Sequence, residues 1–80
     1  MSNSLNTFGV VIQRERETRR LSQEGLAALA GLSRAYVGEI ERGEVNVSFS
    51  TLVALAGGLN LTLGELISAY EHEHQSSGND

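Results

Sequence analysis

Five short segments of the chain carry apolar residues at helical spacing, and small polar residues or glycines stand at the ends of these segments. The chain contains no proline and no long run in which β-branched and polar residues alternate as in a half-buried strand. Serine and threonine accept hydrogen bonds from the first N–H groups of a helix, and glycine adopts the left-handed conformation that ends one. The pattern therefore predicts an all-α chain of five helices joined by brief loops.

The ends of the first three helices follow from these signals. The first helix is predicted to cover about residues 5–20, because its apolar residues share one face. Ser22 is predicted to cap the second helix, which ends at Gly31. Ser33 is predicted to cap the third helix, which ends at Gly43.

The starts of the last two helices are also predicted from polar capping residues, whereas the chain after the fifth helix has no clear end signal. Residues 44–48 have no helical periodicity and are predicted to form a loop, after which Ser50 caps the fourth helix. Thr62 and Glu65 have the T-x-x-E spacing of a capping box, which predicts the start of the fifth helix. Residues 74–80 are polar and acidic, and we predict that they form a frayed tail.

A chain of 80 residues allows a single small domain, and its ordered core is predicted to span about residues 5–73. A domain of this size buries only about 60% of the surface of its unfolded chain, so association with a partner is expected to add stability.

The absence of cysteine excludes disulfides and thiolate zinc sites. No apolar stretch approaches the roughly 20 residues of a membrane span, and the N-terminus lacks a basic leader, so we expect a cytoplasmic protein.

The charges divide the chain into two different halves. All six positive charges are arginines between Arg14 and Arg42, and residues 1–42 have a net charge of +1. Residues 43–80 carry five acids and no base, which gives −5. The overall net charge of −4 argues against nucleic acid as a partner, but a local arginine patch can still bind phosphate.

Two charged residues fall where the helical period calls for apolar ones. Arg16 lies four residues after Ile12 on the apolar face of the first helix, and Glu41 lies four residues after Val37 on that of the third. A lone buried ion is strongly destabilising, whereas a guanidinium and a carboxylate can pair in a fork that satisfies both. We therefore predict that Arg16 and Glu41 meet. The alternative is that both side chains reach water from the edge of the core.

The motifs LSQE-LA, AGLSR-Y, IERG and NVSFSTLVALA occur together between residues 21 and 59. This segment resembles the Cro/cI-like (XRE) helix-turn-helix family of prokaryotic and phage transcriptional regulators, and its Asn-Val-Ser loop is similar to that of restriction-modification controller proteins. The resemblance implies a compact five-helix, lambda repressor-like DNA-binding fold with the helix-turn-helix at about residues 22–42. The second helix of such a unit enters the major groove of DNA.

The resemblance also implies where DNA is bound. Gln23, which opens the second helix, is expected to reach phosphate and base edges. Contacts of the recognition helix are expected at Ser33, Arg34, Ala35, Tyr36 and Glu39. The buried Arg–Glu pair of the family falls on Arg16 and Glu41, in agreement with the pair predicted from the helix faces. The five other arginines are expected to gather toward DNA.

The side chains at these positions suit particular contacts. Arg34 can form two hydrogen bonds with guanine or bind phosphate, and Ala35 can contact a thymine methyl. Glu39 can accept a hydrogen bond from cytosine, or it is a solvated surface side chain. Gly38 is predicted to lie on the same exposed face, where it either permits close approach of DNA or is a tolerated weak point of the helix.

Three further positions border this face. The hydroxyl of Tyr36 suits a phosphate oxygen, or its ring covers the edge of the core. Arg42 and Asn46 are placed to hold phosphates without reading sequence. The alternative for Arg42 is that it caps the end of the third helix.

A homodimer is predicted because one short recognition helix rarely suffices, and a two-fold dimer places two such helices about 34 Å apart on a pseudo-palindrome. The candidate dimer surface consists of Phe49, Leu63, Leu66, Ile67 and Tyr70. Three of these, Leu63, Leu66 and Ile67, are expected to lie mainly inside, and the alternative is that all five belong to the core.

Catalytic and metal-binding patterns do not emerge from the sequence. His72 and His74 are two residues apart and point to different faces of a helix, so we predict no metal and no cofactor. No nucleophile arrangement or phosphate-binding loop predicts an enzyme. The favoured function is a sequence-specific DNA-binding transcriptional regulator, and the family resemblance implies that it controls its own gene. The alternative is a protein-interaction module, such as an antitoxin or regulatory subunit, whose acidic half binds RNA polymerase or another protein.

Overall fold

The computed structural model describes residues 4–78, with side chains described for residues 4–74. Within this part the chain forms five helices and no strand: α1 (Ser4–Thr18), α2 (Gln23–Ala30), α3 (Arg34–Glu41), α4 (Phe49–Gly58) and α5 (Leu63–Gly78). The all-α prediction is confirmed. No single one of these helices is long and apolar enough to cross a membrane, and only α4 and α5 taken together, across a 98° bend, reach that length and composition.

The predicted ends of α2 and α3 agree with the structure. The Ser22 hydroxyl accepts a hydrogen bond from the N–H of Gly25 at 2.9 Å, and that of Ser33 accepts from Tyr36 at 3.1 Å. Gly31 and Gly43 follow the two helices with φ of 71° and 72°. These are left-handed conformations that glycine adopts without a steric penalty.

Two other predicted boundaries are wrong. Ser48 caps α4 instead of Ser50, since its hydroxyl accepts from the N–H of Thr51 at 3.2 Å. The helix α1 ends at Thr18 and not near residue 20, because Arg20 has a φ of 58° and turns the chain away. Both errors come from tight turns, in which several residues could have served as the last or first of a helix.

The fifth helix begins as predicted and extends further than predicted. Thr62 and Glu65 form the reciprocal capping box, with bonds of 2.8 and 3.0 Å. The helix α5 then continues to Gly78, beyond residue 73, the predicted end of the ordered core. The last two residues of the predicted tail lie outside the described residues.

All five helices contribute to one apolar core. Its fully buried side chains are Val11, Ile12, Leu26, Val37, Leu55, Leu59 and Leu66, with Ile40 nearly so. The helix-turn-helix formed by α2 and α3 packs against α1 and α4, and α5 packs against α1 and α4. Gly9 allows α1 to cross α3 at backbone distance, since a Cβ at this position would lie 2.7 Å from the carbonyl oxygen of Ile40. The core thus holds α3 rigidly from its inner side.

Candidate nucleic-acid interface

The structure brings together the two charged residues predicted to pair. Arg16 donates from Nε to Glu41 at 2.7 Å and from Nη2 at 3.1 Å, and its Nη1 donates to the carbonyl oxygen of Leu21 at 2.9 Å. The side chains of Arg16 and Glu41 are only 11% and 5% exposed, so neither reaches water from the edge of the core. The hydrogen bond with Glu41 raises the pKa of Arg16 although burial opposes it. This fork fastens α1 to the C-terminal end of α3.

Gln23 also binds this carboxylate, which the sequence analysis did not anticipate. Its Nε2 donates to Oε1 of Glu41 at 2.9 Å. The side chain therefore extends from the start of α2 across to the end of α3, and it is half-buried there. No local signal marks this contact, because the two residues are 18 positions apart and meet only after the helices pack.

The N-terminal end of α3 is open to solvent. Ser33, Arg34 and Ala35 are exposed, and Glu39 is half-buried one turn further on. Among the described side chains, no carboxylate lies within 4 Å of the Arg34 guanidinium. Arg34 is also the first residue of α3, where the positive end of the helix dipole disfavours a cation. Its position is therefore suited to binding an anion or a base acceptor and does not help the helix.

Gly38 does not lie open on the exposed face as predicted. It is buried, because the side chain of Arg42 folds over it and places Nη1 3.1 Å from the position that a Cβ would take. Arg42 also donates from Nε to Glu44 at 3.0 Å, and this hydrogen bond raises the pKa of Arg42. The backbone of Arg42 caps α3, whereas its guanidinium remains exposed beside the helix.

Tyr36 and Asn46 border the open face in different ways. Tyr36 is half-buried and packs against the core, as in the alternative in which its ring covers the core edge. Asn46 is exposed in the loop between α3 and α4. Of the two, Asn46 is the more accessible to a DNA backbone.

The expected gathering of five arginines toward DNA is wrong for two of them. Arg19 donates to the carbonyl oxygen of Leu59 at 2.6 Å and to Glu15 at 2.8 Å, so it ties α1 to the end of α4. Arg14 forms an ion pair with Glu73 of α5. Both guanidinium groups stabilise contacts with the acidic half of the chain, which removes them from the candidate interface.

The candidate dimer residues separate into three groups. Leu66 is fully buried, as expected for a residue that lies mainly inside, so it offers no surface to a partner and does not belong to the candidate dimer surface. Leu63, Ile67 and Tyr70 are half-buried. Phe49 is 69% exposed in the first turn of α4.

Two features next to Phe49 were missed by the sequence analysis. Val53, one turn later on the same face of α4, is 48% exposed. A cavity of about 210 Å³ is lined by residues that include Phe8, Val47, Leu52, Ile67 and Tyr70, and two of these, Val47 and Leu52, are neighbours of Phe49 in the chain. Phe49 and Val53 thus form an exposed apolar ridge, and residues that are close to this ridge in the chain line an apolar cavity.

The comparisons with known proteins identify the chain as a helix-turn-helix protein. Residues 12–66 match the helix-turn-helix family model. The chain is 47% identical over 53 residues to the control protein C.SmaI of Serratia marcescens, a match covering 66% of this chain and 63% of that protein. It is 42% identical over 67 residues to the control protein C.MunI of Mycoplasma sp., covering 82% and 90%.

A solved structure shares the fold and the sequence pattern. The restriction-modification controller protein C.AhdI from Aeromonas hydrophila superposes with a TM-score of 0.75 at 45% identity. The match covers 78% of this chain and 94% of that one. The residues that match the family model, 12–66, include α2 and α3, the helices that carry the candidate interface.

Proposed function

Because this chain belongs to the Cro/cI-like (XRE) helix-turn-helix family of DNA-binding transcriptional regulators, we propose that it binds operator DNA by placing α3 in the major groove. The proposed role is regulation of promoters, its own included, in the cytoplasm. It requires no catalytic site and no cofactor, since the chemistry consists only of reversible contacts with phosphates and bases.

The exposed guanidinium of Arg34 at the start of α3 is the observation that carries the proposal. Its guanidinium is exposed at the start of α3 and has no carboxylate within 4 Å among the described side chains. A cation here opposes the helix dipole and gains nothing from the fold, so stability does not explain it. Guanine offers O6 and N7 in the major groove, and a guanidinium can donate to both.

The neighbouring residues complete the proposed interface. Ala35 is small and exposed beside Arg34, which suits contact with a thymine methyl, and Glu39 can accept from cytosine. Ser33 contributes the start of the recognition helix, with its hydroxyl engaged as the cap. The phosphate contacts are assigned to Gln23, Tyr36, Arg42 and Asn46, which border this face.

We also propose a homodimer formed through the ridge of Phe49 and Val53 together with Ile67 and Tyr70. The exposed ridge and the apolar cavity support this, since burying one exposed phenylalanine contributes about 1.5–3 kcal/mol and a two-fold axis uses each contact twice. Burial of the ridge also compensates for the small core of an 80-residue chain.

The DNA-binding proposal is tested by selecting double-stranded sequences from a randomised library and measuring their affinity by fluorescence anisotropy at two salt concentrations. We expect a pseudo-palindrome with half-sites about 10 base pairs apart and an affinity that falls as salt rises. DNA from upstream of the protein's own gene forms a second arm, which tests autoregulation. Absence of salt-dependent binding at low salt would contradict the proposal and favour the protein-interaction alternative.

The dimer is tested by sedimentation equilibrium on wild type and two variants. Phe49→Ala is expected to shift the protein toward monomer. Leu29→Ala is the matched control, because Leu29 is also a large exposed apolar residue, 62% accessible, but belongs to α2. A wild-type protein that stays monomeric at high micromolar concentration would contradict the dimer.

A further inference from the structure

The buried carboxylate of Glu41 has more than one partner. Its Oε2 accepts from Nε of Arg16 at 2.7 Å, and its Oε1 accepts from Nη2 of Arg16 at 3.1 Å. The same Oε1 also accepts from Nε2 of Gln23 at 2.9 Å. With a side chain only 5% exposed, Glu41 thus binds three N–H groups, two from α1 and one from α2. One of these groups belongs to a residue of the proposed DNA interface.

This contact fixes which way the amide of Gln23 faces. A carboxylate can only accept hydrogen bonds, so the amide nitrogen must point at Glu41 and the amide oxygen must point elsewhere. The oxygen lies 3.8 Å from the position that a Cβ on Gly38 would occupy, and Nη1 of Arg42 lies 3.1 Å from the same position. The surface above Gly38, midway along α3, is therefore made by side chains from the start of α2 and the end of α3.

The two groups above Gly38 offer opposite hydrogen-bonding chemistry. The guanidinium of Arg42 only donates, whereas the carbonyl oxygen of Gln23 only accepts. Phosphate oxygens accept and offer no proton, so the carbonyl oxygen cannot bind them. In the major groove, the protons that it can accept come from the exocyclic amino groups of adenine (N6) and cytosine (N4).

We propose that Glu41 is a positioning residue for sequence reading, which holds Gln23 so that its carbonyl oxygen accepts a hydrogen bond from an exocyclic amino group of a base. This inference rests on the proposed function, in which α2 and α3 bind DNA. It gives the buried Arg16–Glu41 pair a second role, because the carboxylate that joins α1 to α3 also orients a DNA-contacting side chain. The amide nitrogen has a second N–H group, which is left for the proposed phosphate contact while the oxygen reads a base.

Two variants separate this role from a purely structural one. Gln23→Met keeps the length of the side chain and removes the acceptor, while the Arg16–Glu41 fork stays intact. Glu41→Gln keeps an oxygen for Arg16 but no longer dictates the orientation of the Gln23 amide. Where Glu41→Gln fails to fold, Glu41→Asp keeps the charge opposite Arg16 and shortens the reach to Gln23.

The experiment measures base preference in a randomised double-stranded DNA library, followed by competition between the selected operator and its single-base variants. Circular dichroism sets a temperature at which each variant is folded. Wild type is expected to prefer a base pair with the amino group in reach, at one position per half-site, by about threefold to tenfold. Gln23→Met and Glu41→Gln are each expected to lose this preference, and the double variant is expected to lose no more than Gln23→Met.

Matched controls identify the source of any change. Leu66→Val lowers stability from a buried position in α5 and should leave the preference unchanged. Glu39→Gln alters the other acceptor on this face and should change a different position of the operator. An unchanged preference in Glu41→Gln, or an equal loss of affinity for all sequences in Gln23→Met, overturns the inference while DNA binding stands. A wild type that selects no sequence overturns the proposed function as well.

Discussion

The two ends of α3 use arginine in opposite ways. At the C-terminal end, Arg16 is buried in a fork with Glu41 and Arg42 is paired with Glu44. At the N-terminal end, Arg34 is exposed and, among the described side chains, has no carboxylate within 4 Å. The C-terminal end is joined to α1 by a buried ion pair, whereas the N-terminal end leaves a positive charge exposed to solvent.

The difference shows why a count of arginines overstates the positive surface of this protein. Of the six arginines, Arg14, Arg16, Arg19 and Arg42 are each paired with a glutamate. Each such pair neutralises a charge that phosphate would otherwise attract. Arg20 and Arg34 form no ion pair among the described side chains, and we therefore expect these two guanidinium groups to contribute most to DNA affinity.

The largest expected effect comes from removing the buried charge at the C-terminal end. Arg16→Ala leaves the carboxylate of Glu41 buried without its main partner, which is expected to lower the free energy of unfolding by about 3–5 kcal/mol. Urea titration followed by circular dichroism measures this. Arg34→Ala is the control from the other end, with an expected change within about 0.5 kcal/mol. Equal stability of Arg16→Ala and wild type would remove the distinction between the two ends.

The second-largest expected effect comes from the close approach of α1 to the C-terminal end of α3. In Gly9→Ala the new methyl group would meet the carbonyl oxygen of Ile40 at 2.7 Å, so the two helices must separate, at an expected cost of about 1–3 kcal/mol. Gly57→Ala is the matched control, because among the described residues its methyl group would meet no atom within 4 Å beyond its chain neighbours and the backbone of its own helix. It is expected to stabilise α4 by about 0.5–1 kcal/mol. Thermal unfolding of both variants compares them, and a stable Gly9→Ala would show that α1 is not fixed there.

The third effect concerns binding at the N-terminal end. Arg34→Ala is expected to cost about 1–3 kcal/mol of binding to the selected operator without lowering stability. Anisotropy with the operator and with its guanine-substituted variants distinguishes the contact made. A loss confined to one guanine indicates base reading, and a uniform loss with a smaller salt dependence indicates phosphate. Unaltered binding would mean that the open end of α3 does not face DNA.

The smallest effect comes from the exposed pair at the C-terminal end. Glu44→Gln removes the negative charge that pairs with Arg42 but keeps an acceptor oxygen, so DNA affinity is expected to rise by less than Arg34→Ala lowers it. The gain should shrink as salt increases, because exposed charges are screened. Glu65→Gln is the control, since Glu65 belongs to the capping box of α5. Equal gains in both variants would point to net charge and not to the release of Arg42.

Much of the fold was predictable because its signals are local. Ser22, Ser33 and Thr62 bond to N–H groups three residues away, so their role can be found within one helical turn. The choice between Ser48 and Ser50 failed for the same reason, since both lie within one turn of the helix start. The meeting of Arg16 and Glu41, 25 residues apart, was predictable because a charge on an apolar helix face needs a partner.

The five helices, the helix-turn-helix and the presence of a buried ion pair follow from the order of the amino acids alone, because periodicity and capping are properties of neighbouring residues. Three contacts are visible only in the folded chain: Gln23 binds Glu41, Arg42 covers Gly38, and Arg14 and Arg19 face the acidic half. These contacts depend on the distance and angle between packed helices. A long polar side chain can reach several partners, and the packing selects which one it meets.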